Sequence, residues 1–265
     1  MKILMCEPQY YNVSYEINPW MSKKILVDNS KAYSQWRHFK DTLHACNIDI
    51  QLIQPVDGLP DLVFTANAAL MINNKAYLSN FRYNERKKEA HYNKLWFSQH
   101  HIAIDEYALE NNYYFEGAGD ALFSSSNKLF AGYGFRSEKA YFLHLQQTLD
   151  IKIIYCELVN PYFYHLDTCF CPLDENTALW WPHAFAEHSQ TSIRNAIDVI
   201  DVPEEEAKRF CCNAVVVNKN VIIPSNCNKT KKQLEDRGFN VFCCDMSEYI
   251  KAGGACKCLT LILDT

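Results

Sequence analysis

An α/β ring of five pseudo-symmetric strand–hairpin–helix units is the architecture this chain is expected to adopt. Three observations point to it. Apolar, β-branched runs come in pairs split by Asn-rich turns, the pattern of hairpins. Each pair is followed by a segment of helical periodicity. The order strand, hairpin, helix returns about five times at a period near 50 residues, which is the range of propellers, solenoids and arrays.

The first hairpin runs over residues 62–72, turns at Asn73, Asn74 and Lys75, and returns over 76–81. The second covers 121–124 and 129–133, turning near Ser126 and Asn127. The third covers 165–172 and 178–181, around Asp174, Glu175 and Asn176. The fourth covers 214–217 and 221–224, around Asn218, Lys219 and Asn220. Helical segments follow at 84–97, 138–149, 184–197 and 230–237, and short apolar strands precede the hairpins at 48–53, 102–105, 151–157 and 199–202. A fifth unit closes around the termini, with strands 239–244, 258–263 and 2–5 and a helix over 30–46. Ser30, Ser137 and Asn228 are expected to cap helices. Closure by the N-terminal strand favours a ring over an open stack, because a ring exposes no end. Alternation of strands and helices also fits a doubly wound sheet. The ring is preferred because hairpins predominate, and hairpins make antiparallel pairs.

Composition agrees with one large domain over residues 1–265. The 265 residues are 48% hydrophobic, 14% aromatic and 22% charged, enough to bury a sizeable core. The formal net charge is −5, and the 26 Lys and Arg form no long block, so a nucleic-acid partner is not expected. No run of about 18 apolar residues marks a membrane span, and the N-terminus reads as a strand and not an export signal. Twelve cysteines in such a chain are expected to be reduced thiols of a cytoplasmic protein. They include two CxC pairs, Cys169/Cys171 and Cys256/Cys258, but no CxxC pair, so no metal is expected.

Chemistry falls at equivalent places in the repeat. Asn67, Glu116, His165, Asn213 and Cys258 each open the first hairpin strand of a unit, at successive spacings of 49, 49, 48 and 45 residues. In a ring they point to one axial cavity, bringing a carboxylate, an imidazole and a thiol together for nucleophilic catalysis. Each also has a plain structural explanation. A buried Cys often serves as a small apolar residue, and a lone His is more often a satisfied core residue. Cys258 stands out because Gly253 and Gly254 allow close backbone approach and Lys257 favours a lowered thiol pKa. Asp167, two residues after His165, is expected on the same side of a strand. Glu116 lies in Phe115-Glu116-Gly117-Ala118-Gly119-Asp120, where the glycines suggest tight backbone near a ligand. No helix opens after it, so a dinucleotide site is not expected. Cys256 is read as a packing residue, since side chains two apart on a strand seldom bridge.

At these residues the chain resembles the guanidine-modifying, or pentein, superfamily, which includes arginine deiminase, dimethylargininase, amidinotransferase and arginine dihydrolase. The matching stretches are Pro60-Asp61-Leu62-Val63-Phe64-Thr65-Ala66-Asn67, residues 115–120, His165-Leu166-Asp167-Thr168, and Gly253-Gly254-Ala255-Cys256-Lys257-Cys258-Leu259-Thr260. The resemblance implies a five-bladed α/β propeller. It implies catalytic roles for Cys258 (nucleophile), His165 (acid/base), and Glu116 and Asp167 (guanidinium-binding carboxylates). It implies substrate contacts at Asn18, Asn67, Phe64, Asp61 and Asp120. Arg86 and Arg136 match the arginines that hold the substrate α-carboxylate, with Arg82 competing for the first place. Arginine deiminase and typical dimethylargininase carry Asp where this chain has Asn67; arginine dihydrolase resembles this chain there and at Asn18. The implied reaction is therefore arginine to ornithine, carbon dioxide and two ammonia. Deiminase or dimethylargininase chemistry giving citrulline is the alternative, and a non-catalytic binding module a remoter one. No cofactor is implied; a small-molecule substrate and assembly as a homo-oligomer are expected.

Overall fold

Asn73 and Asn74 both take left-handed backbone, φ 50° and 58°, between the paired residues Ile72 and Lys75. Asparagine tolerates that region, and two such residues in a row make the tight turn whose twist matches the flanking strands. The computed structural model describes residues 1–264, and among them this hairpin is one of five built alike. Ala69–Ile72 pairs antiparallel with Lys75–Leu78, the chain crosses through a helix, and Ala103–Asp105 returns parallel to the second strand. The same order recurs in Ala121–Ser125, Lys128–Tyr133 and Lys152–Glu157; in Phe170–Pro172, Thr177–Trp180 and Asp198–Asp201; and in Val215–Val217, Asn220–Pro224 and Asn240–Cys244. The fifth sheet joins the two ends of the chain. Leu261–Ile262 runs antiparallel to Lys2–Cys6, which pairs parallel with Asp49–Ile53. Together they make the five-bladed α/β propeller, not a doubly wound sheet.

The structure corrects the phase of the repeat. The strand before each hairpin belongs to the preceding blade, where it forms the third, parallel strand; residues 240–244 thus complete the fourth sheet and do not open the fifth. A crossover helix makes that parallel return possible. Three long strand expectations also shorten. Pro60–Val63 and Thr65–Asn67 are 3-10 turns before Ala69–Ile72, and Leu166–Thr168 is a 3-10 turn before Phe170–Pro172. Residues 256–259 form a turn before Leu261–Ile262. Apolar composition hid these turns, because the residues are buried whether extended or coiled.

The cap expectations shift as well. Asp28, not Ser30, caps helix Asn29–Ala45 by accepting from Lys31 N. Glu206 accepts from Lys229 N and Thr230 N at the start of Asn228–Glu235. Ser137 leaves helix Lys139–Thr148 uncapped and turns its hydroxyl inward.

Helix Asn29–Ala45 buries Trp36, Phe39 and Leu43 on one face; Phe130 packs on Phe170 between two blades at 4.6 Å. These helices and outer strands leave the first strand of every blade nearest the axis. Leu70, Leu122, Phe170, Val215 and Leu261, one from each blade, line a single central chamber. The turns that precede those strands lie at its other end and carry the polar residues of the repeat.

Candidate active site

Each repeat residue sits in or beside a turn that halts the chain before the inner strand, and the halts are tight. Gly117 is at φ +62°, and a Cβ there would lie 2.9 Å from the carbonyls of Ala66 and Ala69. Gly253 is at φ +85°, with Tyr164 Oη 2.7 Å and Asn18 Oδ1 3.0 Å from the place of a Cβ. Both demand glycine on backbone and on space.

The five repeat residues form two contact groups, Asn67–Glu116–His165 and Asn213–Cys258. Asn67 Nδ2 donates to Glu116 O at 3.1 Å. Glu116 Oε2 lies 2.8 Å from His165 Nε2 and accepts from Arg136 Nη1 at 3.1 Å; its Oε1 accepts from Arg82 N. Asn213 Nδ2 donates to Asp167 O at 3.0 Å and to Cys258 Sγ at 3.1 Å. Asn213 Oδ1 accepts from the N–H of Ala255 and of Cys258. The Cys258 thiol donates to Asp167 Oδ2 at 3.5 Å. The expectation that His165 and Asp167 face one side of a strand fails, because the 3-10 turn between them directs one to Glu116 and the other to Cys258.

Electrostatics separate the two acids. Burial alone would raise the Glu116 carboxyl, but Arg136 and His165 hold it well below the ordinary range. Asp167 is pushed up to about 7 by burial, against the opposing pull of Lys257 and of its hydrogen bonds. Its Oδ1 is buried without a hydrogen-bond partner. The Cys258 thiol is also pushed up, by burial and then by Asp167, despite Asn213 and Lys257. That reverses the lowered thiol expected from Lys257: the lysine is there, but desolvation and the neighbouring carboxylate outweigh it.

Arg136 is 2% exposed and lies between the rings of Tyr83 and Tyr164, with Nη2 on Ile17 O. Arg86 is otherwise committed. Its Nε and Nη2 pair with Glu89, Nη1 donates to Asn67 Oδ1 at 2.8 Å, and Nη2 also reaches Asp61 O. Most of its donors are thus taken inside the protein, one of them by Asn67. Arg82 is a third exposed and lies over Tyr114. Asp120 is also one layer back: it accepts from Ser137 Oγ at 2.6 Å and from Leu166 N at 3.0 Å, tying the Glu116 and His165 turns together.

A cleft of about 10 Å³, room for about one water, opens among these groups. It is lined by Asn67, His165, Cys258, Asp61, Phe64, Arg86, Arg136 and Tyr164, by Ile17 and Asn18, and by residues 252–254. Asn18 holds this rim: its Oδ1 accepts from Trp20 N, and its Nδ2 donates to Ala252 O. Two residues take part without a role expected from the sequence. The repeat places Asn213 at the axis, but amides are common in turns. Tyr164, whose hydroxyl donates to Gly253 O at 2.8 Å, had no such signal. Among the described residues no group of three or more His, Cys, Asp or Glu is placed to hold a metal ion.

Five blades around an axial thiol, imidazole and carboxylates define a protein of the guanidine-modifying, pentein class. The family described as N,N dimethylarginine dimethylhydrolase, eukaryotic, matches residues 12–263, and the chain belongs to it. The bifunctional arginine dihydrolase/ornithine cyclodeaminase ArgZ of Synechocystis is 42% identical over 98% of this chain, which spans only 37% of that protein's length. The N(G),N(G)-dimethylarginine dimethylaminohydrolase of Mycobacterium tuberculosis is 35% identical over 97% of this chain and 84% of its own. The solved N-terminal domain of ArgZ, bound to substrate and described as a cyanobacterial arginine dihydrolase, superposes with a TM-score of 0.94 at 41% identity, covering 98% of this chain and 97% of that one.

Proposed function

We propose that this chain is an arginine dihydrolase, converting L-arginine and two waters to ornithine, carbon dioxide and two ammonia through a covalent adduct on Cys258. The observation that carries this reading is the thiol of Cys258 on Asp167 Oδ2, the other oxygen of that carboxyl having no partner, with Cys258 and the Glu116-bonded His165 lining one cleft. A guanidinium needs planar acceptors and a nucleophile facing its carbon.

Glu116 and Asp167 bind the cation. Its charge offsets the burial that keeps Cys258 and Asp167 protonated, so the thiolate forms when substrate arrives. Sulfur attacks the guanidinium carbon. One C–N bond breaks, and ammonia leaves with a proton from His165. Water, deprotonated by His165, attacks the S-alkylthiouronium, and the C–S bond breaks to give citrulline. A second attack on the ureido carbon releases the second ammonia. Hydrolysis then leaves a carbamate that loses carbon dioxide. His165 alternates as acid and base, oriented by Glu116. Arg136 takes the α-carboxylate, while Phe64, Asp61 and Asn18 shape the cleft.

Asn67 favours the second turnover. Its amide offers a donor and an acceptor, where an aspartate offers only acceptors and prefers the charged substrate to neutral citrulline. The M. tuberculosis relative and the family description favour dimethylarginine as a second reading. On either reading one catalytic domain acts without a cofactor on a small substrate. We place it in the cytoplasm, as a homo-oligomer that needs neither nucleic acid nor membrane. Free thiols at the twelve cysteines support the compartment, and among the described residues no helix is long and apolar enough to cross a membrane. Incubation with arginine, followed by amino-acid analysis and ammonia counting, tests the reaction. Ornithine with two ammonia per arginine is expected. Turnover of dimethylarginine alone, to citrulline and dimethylamine, decides for the second reading, and citrulline with one ammonia from arginine for a deiminase.

A further inference from the structure

The chamber between the five inner strands is separate from the catalytic cleft. Its volume is about 380 Å³. Its walls are apolar, and its lining includes the hairpin-turn residues Asp174 and Asn218, which mark the end away from the catalytic turns. Besides those two turn residues, two more polar groups, Lys257 and Ser124, break the apolar lining. Lys257, 9% exposed, makes one hydrogen bond among the described residues, a 3.3 Å contact from Nζ to Thr260 O. An ammonium has three donors, so two remain. Ser124, also 9% exposed, has a buried hydroxyl with no partner.

We infer that this chamber is a binding site for a small monocarboxylate with an apolar body, its carboxylate paired with Lys257. An apolar pocket with few polar groups orients a ligand through those groups. A neutral apolar ligand would leave the lysine donors unsatisfied. A dianion would put more charge among apolar walls than one ammonium can offset. Asp174, the acid in the lining, is exposed, and its Oδ1 is held by Asn176 N and Thr177 N.

Occupancy reaches the catalytic side. The Lys257 ammonium acts on both Asp167 and Cys258, favouring their charged forms. A carboxylate on Lys257 cancels that help, so a filled chamber holds Cys258 more firmly as the unreactive thiol. This last step rests on Cys258 as nucleophile; the binding itself does not.

Titration calorimetry with 4-methylpentanoate and with its neutral amide tests the site. The acid is expected to bind at least about tenfold more tightly than the amide, a difference of about 1.4 kcal/mol. Val216→Trp fills the chamber from a partly exposed wall position, far in role from the catalytic groups. It should abolish binding while arginine turnover continues. Equal affinity for acid and amide overturns the proposal, as does binding that survives Val216→Trp, or no heat up to about 10 mM. The acid–amide comparison uses the unaltered protein, so it stands even if the variant fails to fold. Carboxamidomethylation of Cys258 by iodoacetamide, read on its own peptide, should slow at least about twofold when the chamber is filled. An unchanged rate overturns the link to the thiol.

Discussion

The Cys258 thiol donates to Asp167 Oδ2 at 3.5 Å while Asn213 Nδ2 donates to the same sulfur at 3.1 Å. A buried thiol beside a carboxylate is a poor nucleophile until a cation joins them. On the proposed reading, the site stays quiet when empty and is activated by the charge of its substrate.

Removing that carboxylate separates reactivity from turnover. In Asp167→Asn the thiol loses its like-charge neighbour, so alkylation of the free protein should move to lower pH. Arginine turnover should fall at least about a hundredfold, since one arm of the cation site is gone. The pH profile of iodoacetamide inactivation, measured beside kcat, checks both. A profile identical to that of the unaltered protein would count against the pairing.

Asp167 and Glu116 give opposite pH dependences of stability. The folded value of Asp167, about 7, lies above its unfolded value of about 3.9. It therefore lowers stability increasingly as pH rises from 4 to 7, by a few kcal/mol at most. Asp167→Asn should gain more against denaturant at pH 8 than at pH 5. Glu116 is depressed, so its contribution is full above its unfolded value of about 4.3 and fades as pH falls below it. Urea titrations across this range check the two signs.

Glu116→Gln leaves the buried Arg136 guanidinium without its anion. Unfolding free energy should drop by about 3 kcal/mol or more, and kcat/KM by about a thousandfold as His165 loses its orienting carboxylate. Denaturant midpoints and initial rates measure the pair. A variant that keeps both values would remove Glu116 from the proposed machinery.

Asn67→Asp retains the contact with Arg86 Nη1 but sets an acceptor against Glu116 O, where the amide donated. Products should shift toward citrulline, read as a higher citrulline-to-ornithine ratio by amino-acid analysis. An unchanged ornithine yield would reject this role for the amide.

Asn213→Ala deprives the thiol of a donor and two backbone N–H groups of their acceptor. Stability should fall by about 1–3 kcal/mol. The pH needed for alkylation of Cys258 should rise, and kcat should fall more than KM changes. A purely structural role would leave the alkylation profile where it is.

Much of this molecule was legible in the chain itself. The Asn-rich turns and alternating runs determined the hairpins, because left-handed turns and strand pleating are local preferences. The period of the polar residues then placed Asn67, Glu116, His165, Asn213 and Cys258 around one axis. The long buried runs were less informative: residues 60–67 are apolar enough to pass for a strand, residues 165–168 lead directly into one, and only packing shows that both turn.

Tertiary structure decided what each charge does. Both Arg86 and Arg136 line the cleft, and nothing local tells that one pairs with Glu89 and Asn67 and the other with Glu116. Nor could a lysine next to a cysteine reveal that burial and Asp167 would prevail over it. Hydrogen-bond partners, desolvation and the axial chamber arise from residues brought together across the ring. Such effects depend on distance in space and on water excluded, neither of which is written in the order of residues along the backbone.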